Sequence, residues 1–181
     1  MRFEPLSVAG ACRIEIEPQE DARGSFSRLF SKREFEENGL VSDFTQESVA
    51  QNRRAGTLRG FHFQAPPAIE AKLVTCVKGA AFDVILDIRA GSRTFGTWCA
   101  VTLRAGDWLG VYVPPGCAHA VQALADGTEM LYRISCNYDA KAARGYRWNS
   151  PGLDVDWPLS NPILSERDRS LPVFTTKLYV E

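Results

Sequence analysis

This sequence predicts a mainly β fold, a sandwich or barrel. Short apolar or alternating runs recur closely along the chain, and Gly, Pro or Asp separates them. Only two short segments carry the signals of a helix.

Strand candidates fall at residues 12–18, 48–52, 57–64, 71–77, 81–89, 97–103, 108–113, 119–124 and 129–137. Residues 81–89 alternate best. Phe82, Val84, Leu86 and Ile88 share one face, and Asp83, Ile85, Asp87 and Arg89 share the other. Two carboxylates on the second face point to solvent or a polar cavity rather than dry core. For the helices, Ser31 followed by Glu34 resembles a capping box opening residues 32–38, with Gly39 as the stop. Ser165 followed by Asp168 reads as the start of a short helix or turn before Pro172. The C-terminal stretch is otherwise rich in Pro and Trp, and is expected to wrap over the barrel.

Composition bounds the function. The 181 residues fit one domain, 1–181, large enough to bury a core without disulfide staples. Apolar residues at 45% and charged residues at 24% are ordinary for a soluble globular protein. With a formal net charge of −1, no global field recruits nucleic acid or an anionic membrane, and neither is expected as a partner. An anionic ligand must then be held by a local cluster of Arg and Lys. The five cysteines, Cys12, Cys76, Cys99, Cys117 and Cys136, form no C-x-x-C pair and sit mostly in apolar runs, which predicts reduced, buried thiols. No basic-then-apolar leader and no membrane-length run is present, so a cytoplasmic location is expected.

Barrels of this kind often carry a metal. The segment Pro114-Pro115-Gly116-Cys117-Ala118-His119 looks like the second half-motif of cupins. The first half-motif wants two histidines spaced by one residue, but the matching place reads His62-Phe63-Gln64, and the chain has only two histidines. A metal would have to recruit Asp83 or Glu129, and no metal is expected.

The densest functional signal is residues 56–64, where His62 sits between two phenylalanines. In a regular strand Gly60, His62 and Gln64 share one face and Arg59 falls on the other, unless a bulge at Gly60 brings Arg59 round. The competing reading is a histidine hydrogen-bonded in a barrel wall. Lys72 lies on a strand among apolar residues, either pointing into a cavity or snorkelling to water. Met130, Tyr132, Ile134, Cys136 and Tyr138 share one face, which is a packing row unless a phenol is put to use. Asp168 alone would read as a helix cap. Residues 21–26, Asp21-Ala22-Arg23-Gly24-Ser25-Phe26, read as a hairpin, or as a phosphate-binding arginine beside an aromatic wall.

Together these segments resemble the dTDP-4-dehydrorhamnose 3,5-epimerase family. The matches are residues 21–26, 56–64, 71–74, Phe82-Asp83-Val84, Asp87-Ile88-Arg89 and Ser92-Arg93-Thr94-Phe95. Val113-Pro114-Pro115-Gly116, Ala118-His119, residues 129–132 and 144–149, Asp156-Trp157-Pro158 and residues 164–168 complete them, so the resemblance spans about residues 10–172. It implies a double-stranded β-helix (jelly-roll, cupin-like) fold, a homodimer with exchanged strands, and catalysis with no metal or other cofactor. The substrate implied is a nucleoside-diphosphate 4-keto-6-deoxy sugar, inverted at C3, C5 or both. Carried over by position, His62 resembles the general base, Asp168 the carboxylate orienting it, Tyr132 the opposing acid and Lys72 the group stabilising the enolate oxygen. Arg23, Phe26, Gln46, Ser48, Arg59, His119, Tyr138 and Arg167 match substrate-binding positions, with Tyr138 expected to stack on the base. Three positions depart from the pattern: Arg28 where Glu is usual, Ser48 where Asn is usual, and Ala143 where Glu is usual. They bear on which nucleotide and sugar are bound, not on proton transfer. Two other classes compete: a non-catalytic sugar-nucleotide-binding module, which has no use for a His–Asp pair facing a Tyr, and a metal-dependent cupin.

Overall fold

A strand whose two faces are both covered must bury both of its side-chain rows, and the central strands here do so. The computed structural model describes residues 1–175. In chain order its strands are β1 (Arg2–Pro5), β2 (Cys12–Glu15), β3 (Gln19–Asp21), β4 (Gly24–Phe26), β5 (Gln46–Asn52), β6 (Leu58–Gln64) and β7 (Lys72–Lys78). They continue with β8 (Ala80–Asp87), β9 (Trp98–Arg104), β10 (Leu109–Val113), β11 (Cys117–Ala123), β12 (Thr128–Ile134) and β13 (Ala143–Gly145). The helices are α1 (Lys32–Glu37) and α2 (Glu166–Ser170). A six-stranded sheet runs β1-β2-β10-β7-β12-β5, a five-stranded sheet runs β13-β6-β11-β8-β9, and β3-β4 is a hairpin of its own. All strand pairs are antiparallel, and most neighbours are distant in sequence, as in a jelly roll.

Three apolar clusters explain the layering. Val74, Cys76 and Met130 from one sheet meet Ile85, Leu103, Cys117 and Val121 from the other, and this is the core between the sheets. On the outer side of the five-stranded sheet, Val84, Leu86 and Ile88 pack under Tyr146, Leu153 and Phe174, so the C-terminal stretch does wrap over the barrel. On the outer side of the six-stranded sheet, Ile14, Leu73 and Tyr112 lie under Phe35 of α1. Phe35 meets Phe3, Phe30, Phe44 and Tyr112 edge-on, which anchors a helix too short to stand alone.

The face carrying Asp83 and Asp87, expected at solvent or a polar cavity rather than in dry core, is turned inward between the sheets. Ala81 and Ile85 in the same row belong to the core between the sheets, and the two carboxylates are 1% and 0% exposed. Each is tolerated because it is partnered. Asp87 accepts from Arg89 Nε at 2.8 Å and from the hydroxyls of Ser92 and Thr94, each at 2.6 Å. Arg89 Nη2 donates onward to the Ala9 carbonyl at 2.7 Å, and the Ala9 N–H donates to Thr94 Oγ1 at 3.0 Å. The Asp-x-Arg and Ser-x-Thr segments thus form a knot that ties the N-terminal loop to the five-stranded sheet.

The two helices differ in how they begin. Ser31 sits at the N-cap of α1 but makes no side-chain capping bond, so the expected capping box is not formed. The stop is formed: Gly39 has φ 68, its N–H donates to Glu36 O at 3.0 Å, and the Leu40 N–H donates to Phe35 O at 2.9 Å. Ser165 does cap α2, accepting from the Asp168 N–H at 3.1 Å. The hairpin read at residues 21–26 forms as β3–β4, strands β1 and β13 were not expected, and β12 ends at Ile134, short of the expected residue 137. The cysteines are free; all but Cys136 are buried, and burial pushes Cys12 and Cys117 up to about 12 and Cys99 to about 11. No helix among the described residues is long and apolar enough to cross a membrane.

Candidate active site

The six-stranded sheet carries its inner face from core to cavity along the same strands. Across β5, β12 and β7, Ala50, Met130 and Cys76 are level, then Ser48, Tyr132 and Val74, then Gln46, Ile134 and Lys72. The first row is apolar and the last is polar at both ends. The polar end opens into a cavity of about 280 Å³. Gln46, Ser48, Lys72, Tyr132 and Ile134 line it from this sheet, and Arg59, His62, Gln64 and His119 line it from the other. Glu70, Tyr138, Ala143, Arg144 and Arg167 complete the rim and walls. The imidazole of His62 and the phenol of Tyr132 therefore border one cavity from opposite sheets.

A bulge makes that lining possible. His119 pairs with His62, but Val121 pairs with Arg59, so the register slips by one between them. The slip lets Arg59 and His62, neighbours of opposite parity in a regular strand, both reach the cavity. Gly60 sits at the slip with φ 120, and a Cβ there would lie 2.5 Å from the His119 carbonyl oxygen. Gly60→Ala is accordingly expected to cost about 2 kcal/mol or more, measured as a lowered urea midpoint, and to disturb both Arg59 and His62. Arg59 is held by Asn52 Oδ1, which accepts from its Nε at 2.9 Å.

His62 Nε2 lies 2.5 Å from Asp168 Oδ1. Asp168 is 4% exposed, in a helix whose first turn Ser165 closes. Burial alone would raise the Asp168 carboxyl, but the bond to His62, its charge and Ser165 outweigh burial and hold it low. Asp87 is likewise held low: burial opposes, and Arg89, Ser92 and Thr94 prevail. Both groups bind a proton less readily folded than unfolded. Their contribution to stability is therefore full above the unfolded carboxyl range, about pH 4, and is lost as pH falls below it. A urea series from pH 6 to pH 3 should show stability dropping only in the acid part.

Lys72 does not snorkel to water: it is 7% exposed, and its Nζ lies 2.8 Å from Glu70 Oε1 and 3.4 Å from the His62 carbonyl oxygen. His119 Nε2 bonds Asp83 Oδ2 at 2.9 Å, and its ring meets Tyr132 edge-on at 6.0 Å. Burial, and after it the Asp83 carboxylate, push the Tyr132 phenol well above its ordinary range, so it stays protonated. Among the described residues no protein atom hydrogen-bonds that phenol, and none forms with its neighbours a group of three or more His, Cys, Asp or Glu placed to share an ion. Tyr138, 62% exposed, stands at the rim with its N–H donating to Gln46 Oε1 at 2.9 Å.

Arg23 and Phe26 are not brought to the cavity within one chain. They stand on the β3–β4 hairpin, where the Arg23 side chain is 90% exposed against Asp21 and Phe26 is 71% exposed. Of the departures, Ser48 and Ala143 line the cavity, while Arg28 borders a hollow shared with Phe26 and Glu34. Sequence reasoning missed Glu70 and Arg144 as lining residues. Glu70 stands outside β7, just before it, so no strand periodicity pointed to it. Arg59, Lys72, Arg144 and Arg167 against Glu70 leave the cavity net cationic, as an anionic ligand requires.

A jelly roll that sets His62, bonded to Asp168 of α2, on one sheet against a phenol and a buried lysine on the other belongs to the cupin-like class of folds. The family model described as dTDP-4-dehydrorhamnose 3,5-epimerase matches residues 5–176. A dTDP-4-dehydrorhamnose 3,5-epimerase of Sinorhizobium fredii is 36% identical over 173 residues, 95% of this chain and 89% of the relative. A dTDP-4-dehydrorhamnose 3-epimerase of Streptomyces niveus is 36% identical over 170 residues, 93% of this chain and 82% of the relative. The crystal structure of a Bacillus anthracis dTDP-4-dehydrorhamnose 3,5-epimerase with TDP and PPi bound superposes with a TM-score of 0.93 at 35% identity, covering 96% of this chain and 99% of that one. The chain belongs to the dTDP-4-dehydrorhamnose 3,5-epimerase family, and its class is isomerase.

Proposed function

We propose that this chain epimerises a dTDP-4-keto-6-deoxy sugar at C3, C5 or both, through an enolate. The observation that carries the proposal is that His62, backed by Asp168, and Tyr132 border one cavity from opposite sheets. A 4-keto group acidifies the adjacent C–H bonds, and inversion needs a base on one face and an acid on the other. His62 takes the proton, and Asp168 fixes its tautomer and supports the imidazolium. Tyr132, protonated, returns a proton to the opposite face. Lys72 donates to the enolate oxygen, a stabilisation worth several kcal/mol in a water-poor site. Arg59, Arg167 and Arg144 suit the diphosphate, and Tyr138 at the rim suits the base.

A homodimer completes the site in this proposal. The β3–β4 hairpin pairs with neither large sheet, and it carries Arg23 and Phe26 out into solvent. Reaching over a second copy, it would bring a cation and an aromatic wall to that copy's cavity mouth. Sedimentation should show a dimer, and Phe26→Ala should raise KM more than it lowers kcat.

Proton NMR in D₂O with dTDP-4-keto-6-deoxyglucose tests the reaction. Signal loss at C3, C5 or both is expected, and the pattern separates double from single epimerisation, a distinction the Streptomyces niveus relative makes relevant. Binding of the sugar nucleotide with no exchange at either carbon would overturn the proposal in favour of a binding module.

A further inference from the structure

We infer that Glu70 is a positioning residue: it holds the Lys72 ammonium against the cavity wall and, through Gln64, ties it to the segment carrying Tyr138. The inference rests on the reading above, in which Lys72 serves the enolate oxygen. A lysine on a four-carbon stem samples many rotamers and ordinarily carries its charge to water. Lys72 is instead buried, which demands a partner. Glu70 Oε1 at 2.8 Å and the His62 carbonyl oxygen at 3.4 Å take two of its three N–H donors. The third is left for a ligand in the cavity that Lys72 lines.

Both oxygens of Glu70 are engaged within the protein. Oε2 accepts from Gln64 Nε2 at 2.9 Å. Gln64 Nε2 also reaches the Asn137 carbonyl at 3.2 Å, and Gln64 Oε1 accepts from the Asp139 N–H at 2.7 Å. The residues on either side of Tyr138 are thus fastened to the same amide that fastens Glu70. A carboxylate this buried beside a lysine also removes the option of the ammonium swinging outward when the cavity is empty, so the donor is in place before the enolate forms.

Glu70→Gln keeps the shape and the Gln64 contact but removes the ionic hold. Its kcat is expected to fall roughly tenfold or more, with KM within about twofold and deuterium wash-in falling in step with turnover. Glu70→Asp should fall between Gln and the native residue. In a Lys72→Met background, Glu70→Gln should add little further loss, since the two act as a unit. Native kcat in Glu70→Gln, a change in KM alone, or an equal loss with and without Lys72 would each overturn the inference. The His62→Ala variant separates the two levels. If His62→Ala loses exchange while Glu70→Gln keeps native kcat, only the inference fails; if His62→Ala keeps exchange, the reading beneath it fails.

Discussion

His62→Ala is expected to abolish solvent deuterium exchange into the substrate, a loss of at least about 10²–10⁴ in rate. The size follows from the position of the imidazole. His62 lines the cavity, and its Nε2 is committed to a carboxylate 2.5 Å away that is buried and fixed by a helix cap. An alanine there removes the imidazole, and its neighbour on the same sheet is committed elsewhere, since His119 Nε2 is bonded to Asp83 at 2.9 Å and Asp168 is turned toward the vacated ring position. Tyr132→Phe should behave differently. Deprotonation by His62 survives, so exchange persists while inversion falls, and the ratio of wash-in to product rises above that of the native enzyme. Exchange at native rate in His62→Ala would sink the assignment of the base. A loss of exchange in Tyr132→Phe equal to the loss of inversion would show that the phenol acts before, not after, the enolate.

Asp87→Ala should produce a large loss of stability, about 3–5 kcal/mol. The carboxylate is 0% exposed and receives the Arg89 guanidinium and two hydroxyls, all within 3 Å. Removing it strands Arg89, Ser92 and Thr94 together and frees the loop at Ala9 that Arg89 and Thr94 hold. None of these residues lines the cavity. The expected result is a large drop in urea midpoint with an unaltered m value, and activity retained below the transition. An unfolding free energy within about 1 kcal/mol of native would mean that the knot is a passive ion pair.

The strand pattern was legible where alternation was strong. Residues 81–89 and 129–134 were placed on the right faces, because period two is a property of the backbone. What covers each face was not legible. Asp83 and Asp87 read as facing solvent or a polar cavity because a carboxylate rarely enters a core, and only the position of His119, 36 residues from Asp83, and the way Arg89, Ser92 and Thr94 fold back onto Asp87 show why these two do. Regular alternation put Arg59 on the face away from His62, and Gly60 offered a bulge only as an option; the register slip takes that option. Glu70 was missed because a lone acidic residue before an apolar strand looks like a solvated start. The hairpin at Arg23 was legible as a turn, but its isolation from both sheets is a tertiary fact that no local pattern carries.

The floor of the cup is made of the same strands as the core, and this limits how such a site can be altered. Met130 sits one step below Tyr132 on β12, and Val74 one step below Lys72 on β7, with no intervening layer. Enlarging the hollow to admit a bulkier sugar would mean shaving residues that also hold the two sheets together. Depth and robustness are therefore traded against each other here, whereas the rim, built from the loop at Tyr138, the short edge strand β13 with Arg144 and the single-turn helix α2 with Arg167, is free to change what it greets at less structural risk.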